Sequence, residues 1–553
     1  MMAVLPQSED TMLSFLSWLN GRPARIFSLL LLCGFSSGCK AQEAAVSEPS
    51  SVPTFPLALP ELLPEPVAVL PTHRFVQAPP PAGQEGMPLW VALEDHLGQG
   101  TTASTSGHAL RLLSAGQPLV LRDGSGREYR GTDVMISWRL VPLALPQQLA
   151  REQAGPFASF ESAERVAIAW GELGVDAVVA HPGDWQVWAP LGSSTPKGVI
   201  SKTWRQTVSS TVEPVFQASE GGHTLTGPVQ IEAPDGLHWR GGLYKGPFRL
   251  QADAYGSWTL LEQVPLERYL EGVVPHEIGA GSPAAALAAQ AVLARTWALA
   301  NRHRFRVDGY HLCSDTQCQV YSDPRQASQP VRQAIAATSG QVLSTQGQPI
   351  NAVYHASNGG VMAAGAEAWA MAPVSYLQAG VDGSAAWRDR VELPLHTNVA
   401  VRLLLNAREG AHGSGHPRFR WTRNITTNQL AQQVQPLAPN LSQPLQLKVL
   451  ERGVSGRVVV LEIAGSDPEQ SALVLRLDGI RRSLRQLPST LFVIDQLSPG
   501  VWRFSGGGFG HGAGLSQAGA IDLARQGWTT DQILEHYYPG TTYGPLPLSE
   551  HSP

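Results

Sequence analysis

Charge is sparse in this chain, cysteine is nearly absent, and no apolar run is long enough to cross a bilayer. Asp, Glu, Lys and Arg make up 15 % of the 553 residues, and the formal net charge is -5 at pH 7. Without a basic field to hold a polyanion, the composition argues against a nucleic-acid partner. Of the 4 cysteines, Cys33 and Cys39 fall near the N-terminus, so only Cys313 and Cys318 serve the rest of the chain. The most apolar run, residues 26–35, is too short for a stable membrane span. No repeat of fixed period is present, which excludes a solenoid or propeller. Glycine (55) and proline (43) are plentiful instead, a composition that suits a loop-rich extracytoplasmic β or α+β protein. The length exceeds one ordinary domain and leaves room for a sizeable core.

The N-terminus reads as an address. Arg22 and Arg25 precede the apolar run in the manner of a secretory signal, with Met12 as an alternative start. The run ends in SSGCK, where small residues before Cys39 resemble a bacterial lipobox, although Ser36 stands where leucine is usual. Two readings follow: a lipidated Cys39 that attaches the protein to a membrane, or an ordinary cleaved signal. Residues 1–39 are thus the signal and 40–87 a Pro-rich tether, since LPELLPEPVAVLP and APPPAG cannot build a core. Folded sequence begins near Pro88. PLWVAL, ALRLL, PLVLR and WQVWAP have strand lengths and strand patterns, and ESAERVAIAWGELG (161–174) reads as a helix among them. This N-terminal β-rich part is expected over 88–260.

The densest signal follows it. PLERYLEGVV reads as a short amphipathic helix, and residues 284–300 contain only Gln290, Arg295 and Thr296 as strongly polar positions. A helix apolar on nearly every face is buried, with Ser282 as its expected cap and Pro283 at its first turn. Between the two helices lies PHEIGAGS, which places Glu277 in an irregular backbone beside Val273, Val274 and Ile278. A carboxyl in such surroundings acquires a raised pKa, the requirement for a general acid. The competing structural role is an ion pair with Arg295 or a helix cap.

Downstream, His311, Cys313 and Cys318 form an H-x-C-x4-C cluster. Three soft ligands suit zinc, with water, His355 or His511 as the fourth, whereas outside the cytoplasm the same two cysteines more often close a disulfide. NAVYHASNGG ends in a turn at Ser357 and Asn358 that brings backbone donors near a ligand. GGGFGHGAGLSQAGA adds a Gly-rich loop around His511 followed by a helix from Leu515 to about Arg525. TTDQILEHYYPG is a last helix with a Thr529–Gln532 cap. Residues 407–419, rich in Gly and His, are expected as a surface loop.

Taken together, LERYLEGVVPHEI, AALAAQAVLARTWAL, CSDTQCQVY, ATSGQVLSTQGQPINAVYHASNGG, DGIRRSLRQLPSTLF and GGGFGHGAGLSQAGA resemble, in order, the stage II sporulation protein D family, also called the SpoIID/LytB or amidase-enhancer family. Ile278 and Gly279 depart from the family's Met and Pro, and Ala513 and Leu515 from its Val and Met. The resemblance implies an α+β fold: a mixed, β-rich domain with a buried central helix and a groove closed by Gly-rich loops. It places the catalytic domain at 261–545, with a β-rich insertion near 391–500 and a tail at 546–553. It further implies a periplasmic or cell-envelope protein acting on peptidoglycan glycan strands, as a lytic transglycosylase with no certain cofactor or as a non-catalytic partner of a cell-wall amidase. Sporulation need not be involved, since the family extends to bacteria that never sporulate. Glu277 is the expected acid and then base. Arg295, Gln319, Tyr321, His355, Ser357, Trp369, His511, Ser516 and Gln517 are the expected substrate-binding positions.

Overall fold

Period-two burial builds the first half of the molecule. Along Val229–Glu232 and Leu119–Arg122 inward and outward residues alternate, so one face of each strand joins the core. In Trp258–Pro265 nearly every residue is buried, because this strand is covered on both faces. The computed structural model describes residues 70–77, 88–219, 221–441, 445–467 and 472–546. The expected signal with Cys39, most of the expected tether and residues 547–553 lie outside the described residues. Residues 70–77 of the expected tether are not free: Pro71 and Ala254 carbonyls accept from the backbones of Ala150 and Arg74.

A seven-stranded sheet runs in the order Leu312–Cys313, Pro88–Leu97, Trp258–Pro265, Phe248–Ala252, Val229–Glu232, Leu119–Arg122, Glu128–Gly131. Its neighbours pair antiparallel apart from the first two strands, which are parallel. A second sheet is organised on the long strand Asp133–Phe157, which pairs with Leu110–Ser114, Trp185–Pro190 and Ser201–Ala218. The helix Phe160–Gly171 packs beside it, capped by Ser159. Strands and helices are therefore both abundant, and the fold is α+β as expected.

The central helix spans Ala284–Asn301 and is buried on all sides, with Leu287, Val292 and Leu293 inaccessible. It touches the helices Leu266–Val274, Gln329–Ala337, Gln517–Arg525 and Thr530–Tyr537 and the strand Gln341–Thr345. Its alanines allow these neighbours to approach closely. Two local expectations need correction. Ser282 does not cap this helix: its hydroxyl donates to the Ile278 carbonyl at 2.7 Å, and Pro283 occupies the cap position without a side-chain bond. The C-terminal helix after the Gly-rich loop starts at Gln517, because Leu515–Ser516 instead pairs in parallel with Tyr354–His355.

The later β-rich region has its own core, in which Ile425, Leu430, Leu461, Ile480 and Phe504 meet. It is made of two three-stranded sheets, Arg420–Thr426, Val501–Gly507, Phe492–Ser498 and Gln446–Arg452, Val458–Ala464, Leu473–Arg476. Within 407–419, Ala411, His412 and Phe419 are buried, so that segment is only partly the surface loop its composition indicated. Among the described residues no helix is long and apolar enough to cross a membrane.

Candidate active site

Glu277 owes its position to a distortion of helix geometry. The helix Leu266–Val274 does not stop before PHEIG but widens into a π-helical turn, Pro275–Gly279, and Gly279 ends it with φ +86. Such turns place one extra residue in the helix and re-aim its side chains. The irregular link read from the sequence is thus a continuation of the helix. Buried Ile278 anchors the turn, and half-buried Glu277 faces a cavity of about 560 Å³.

Val320 N–H donates to Glu277 Oε1 at 3.0 Å. Burial raises the pKa of Glu277 above the usual carboxylate value, and hydrogen bonds from Val320, Gln517 and Tyr354 pull it back only in part. Arg295 is not its partner. The Arg295 guanidinium is bound by Glu267 at 2.6 and 2.7 Å, and further donates to the Gln341 carbonyl. This answers the structural reading of Glu277: its carboxyl is not the mate of the central helix's arginine.

Of the expected substrate-binding positions, Gln319, Trp369 and His511 line the same cavity as Glu277. Gln319 donates to the Ala294 carbonyl at 3.2 Å and accepts from Tyr354 Oη at 2.6 Å, which ties the cavity wall to the central helix. His511 Nε2 meets the Tyr354 carbonyl at 2.8 Å, while its Nδ1 accepts from Ala513 N–H at 3.2 Å. That pairing defines the neutral Nε2–H tautomer. Burial lowers the His511 pKa to about 3, assisted by the nearby charge of Arg481. The Trp369 ring lies 4.7 Å from that of His511.

The other expected positions stand behind this surface. Gln517 donates to Gln290 at 3.3 Å as well as contacting Glu277. His355 is buried behind His511, their rings 5.0 Å apart. Tyr321 donates to Glu262 at 2.8 Å and stacks on Tyr269. Ser516 caps the helix Gln517–Arg525, and Ser357 bridges to Phe509 through its backbone. Arg295 is held at Glu267, as described, and does not line the cavity.

Cys313 and Cys318 are joined in a disulfide, with Cα atoms 5.7 Å apart. Bridged sulfurs have no thiolate to offer a metal, so the zinc reading of His311, Cys313 and Cys318 gives way to the bridge. His311 is occupied elsewhere, its Nδ1 accepting from Trp90 N–H at 2.9 Å. Among the described residues no group of three or more His, Cys, Asp or Glu is arranged to hold a metal ion.

Several cavity residues escaped the sequence reading. Ser159, Phe160 and Glu161 enter from the start of the N-terminal helix, Arg304 from beyond the central helix, and Asp478, Arg481 and Arg482 from DGIRRSL. Glu277 is therefore not the sole carboxyl facing the space. Glu161 is ion-paired with Arg304. Asp478 accepts from the Ser162 hydroxyl at 3.2 Å, and burial raises its pKa to about 6. The i, i+3 spacing of Asp478 and Arg481 was the available signal, since it puts both on one helix face.

This geometry defines an α+β protein whose cavity joins a half-buried, upshifted carboxyl to aromatic and amide side chains, equipment suited to proton transfer. The comparisons narrow that class. Residues 254–344 match the family model described as Stage II sporulation protein. Residues 363–514 match a domain of unknown function, DUF8618. The chain is 25 % identical over 303 residues to "Stage II sporulation protein D" of Bacillus subtilis, covering 51 % of this chain and 75 % of that protein. It is 26 % identical over 302 residues to the protein of the same name from Bacillus amyloliquefaciens, covering 51 % and 74 %. Similarity to the "Amidase enhancer" of Bacillus subtilis is 26 % over 288 residues, covering 49 % of this chain and 40 % of that one.

Proposed function

We propose that this protein works at the bacterial cell wall, outside the cytoplasm, and cleaves peptidoglycan glycan strands as a lytic transglycosylase. The observation that carries the reading is Glu277, whose carboxyl is upshifted by burial and faces a cavity large enough for sugar rings. Protonated Glu277 gives its proton to the glycosidic oxygen as the C1–O bond breaks. The resulting carboxylate then removes the proton of the muramoyl 6-hydroxyl, whose oxygen bonds to C1. A 1,6-anhydro end forms, no water is consumed, and Glu277 is restored to its acid form.

Hydrolysis by contrast uses a second carboxyl to activate water or attack the sugar. Asp478 is present in the cavity but already accepts hydrogen bonds from Ser162 and Gly479. In the transglycosylase reading Gln319 and the ring of Trp369 hold the strand, Gln517 steadies the Glu277 carboxyl from behind the surface, and neutral His511 buttresses the wall. Mass spectrometry of products from peptide-free strands tests it: anhydro ends support the reading, and water-derived reducing ends oppose it.

The similarity to an amidase enhancer favours a second reading, a non-catalytic glycan-binding protein that recruits or stimulates an amidase. Glu277→Gln then leaves stimulation intact, while Trp369→Ala abolishes it.

A further inference from the structure

Three guanidinium groups line the cavity, and two are already satisfied. Arg304 pairs with Glu161 and donates to Asn301, and Arg482 pairs with Asp184. Arg481 is different. Its Nε is buried without a hydrogen-bond partner, and it belongs to no ion pair among the described residues. A buried N–H left unsatisfied is costly, so such a group in a cavity wall points to a ligand that supplies the missing acceptor.

Asp478 does not supply it. It lies one helical turn earlier, and its oxygens accept from the Ser162 hydroxyl at 3.2 and 3.4 Å and from Gly479 N–H at 3.1 Å. The helix Asp478–Ser483 is fixed from behind by Ile480, which sits in the core of the β-rich region. Arg481 is therefore presented to the cavity by a rigid support. It lines the same cavity as His511 and Glu277.

We infer that Arg481 forms a carboxylate subsite that sets the register of the bound strand by pairing with the lactyl carboxylate of a muramoyl residue. The inference rests on the reading that the cavity binds glycan. A peptidoglycan strand alternates two sugars, so it can slide by one ring and present the wrong bond. The neutral N-acetylglucosamine offers no anion, whereas the muramoyl sugar carries a lactyl ether ending in a carboxyl. A guanidinium matches that group with two parallel hydrogen bonds, a geometry a lysine does not reproduce. The contact selects the register in which a muramoyl C1 meets Glu277, as a 1,6-anhydromuramoyl product requires.

The test uses the full chain carrying Glu277→Gln, so that binding is measured without cleavage. Two tetrasaccharides are compared by calorimetry: a peptide-free alternating N-acetylglucosamine–N-acetylmuramic acid oligomer, and chitotetraose, which lacks the lactyl group. The muramoyl ligand is expected to bind more tightly, and adding Arg481→Gln to weaken it about 10- to 100-fold while changing chitotetraose by less than about twofold. Converting the lactyl carboxyl to its methylamide is expected to reproduce the loss without touching the protein. This ligand-side variant keeps the test sound if Arg481→Gln unfolds the chain. Equal affinity for both sugars, or equal loss on both, overturns the subsite while leaving glycan binding intact. Failure of both sugars to bind overturns the glycan reading itself.

Discussion

Removing the Cys313–Cys318 bridge by a double Cys→Ser change tests how the cavity wall is held. The bridge closes a loop of sequence separation 5. In the chain-entropy account, a loop of that size restricts the unfolded state by about 2 kcal/mol at 25 °C. The loop has support of its own, since Asp315 accepts from Gln317 N–H at 2.8 Å and Gln317 accepts from the Trp185 indole at 3.1 Å. The double variant is therefore expected to fold, with its urea unfolding displaced by about 2 kcal/mol. Tryptophan emission reports the change because Trp185 rests on the loop. A functional consequence accompanies it. Val320 follows the loop directly and its N–H stabilises the Glu277 carboxylate. Loosening that donor raises the Glu277 pKa further, so the alkaline limb of the pH–rate profile moves to higher pH. A variant that matches the parent in both urea midpoint and alkaline limb refutes the idea that the bridge braces this wall.

Further expectations concern charge and packing. Because Glu277 must be protonated to act as the acid, strand cleavage falls as pH rises through its upshifted pKa, and a rate profile shows this limb. His511 is held neutral, with a folded pKa near 3 against an ordinary value of 6.5. The unfolded state therefore binds the extra proton, and unfolding titrations show stability lost as pH falls below about 6.5, a loss that His511→Asn reduces. Glu267→Ala leaves the Arg295 guanidinium, 1 % exposed, without its partner. Thermal or urea unfolding should register a loss of about 3 kcal/mol, the low end for a broken buried pair because Glu267 itself reaches solvent.

The buried central helix and the upshifted setting of Glu277 were legible for a physical reason: both depend on local pattern, an apolar stretch without a polar stripe and a carboxyl set among apolar neighbours. The Thr529–Gln532 capping box was readable on the same grounds, and it forms as expected. What local pattern did not carry was the π turn. It follows buried Val273 and Val274 and carries buried Ile278 within it, and an isolated segment has no preference for such a turn. Ser282 is a good cap by type, but the same turn exposes the Ile278 carbonyl, which takes its hydroxyl instead. The far wall was hidden for another reason. Asp478 and Ser162 meet across 316 positions of sequence, and no periodicity announces a contact made by two separately cored regions. Arg295 looked available because its position in an apolar helix demanded a partner, and the partner proved to be Glu267 on the preceding helix.

The most direct measurement incubates the full chain and its Glu277→Gln variant with peptide-free glycan strands in heavy-oxygen water and weighs the products. The account predicts 1,6-anhydro ends without heavy oxygen from the parent and intact strands from the variant. Anhydro ends from both proteins, or reducing ends labelled from water, would contradict the assignment of Glu277 as the single acid and base.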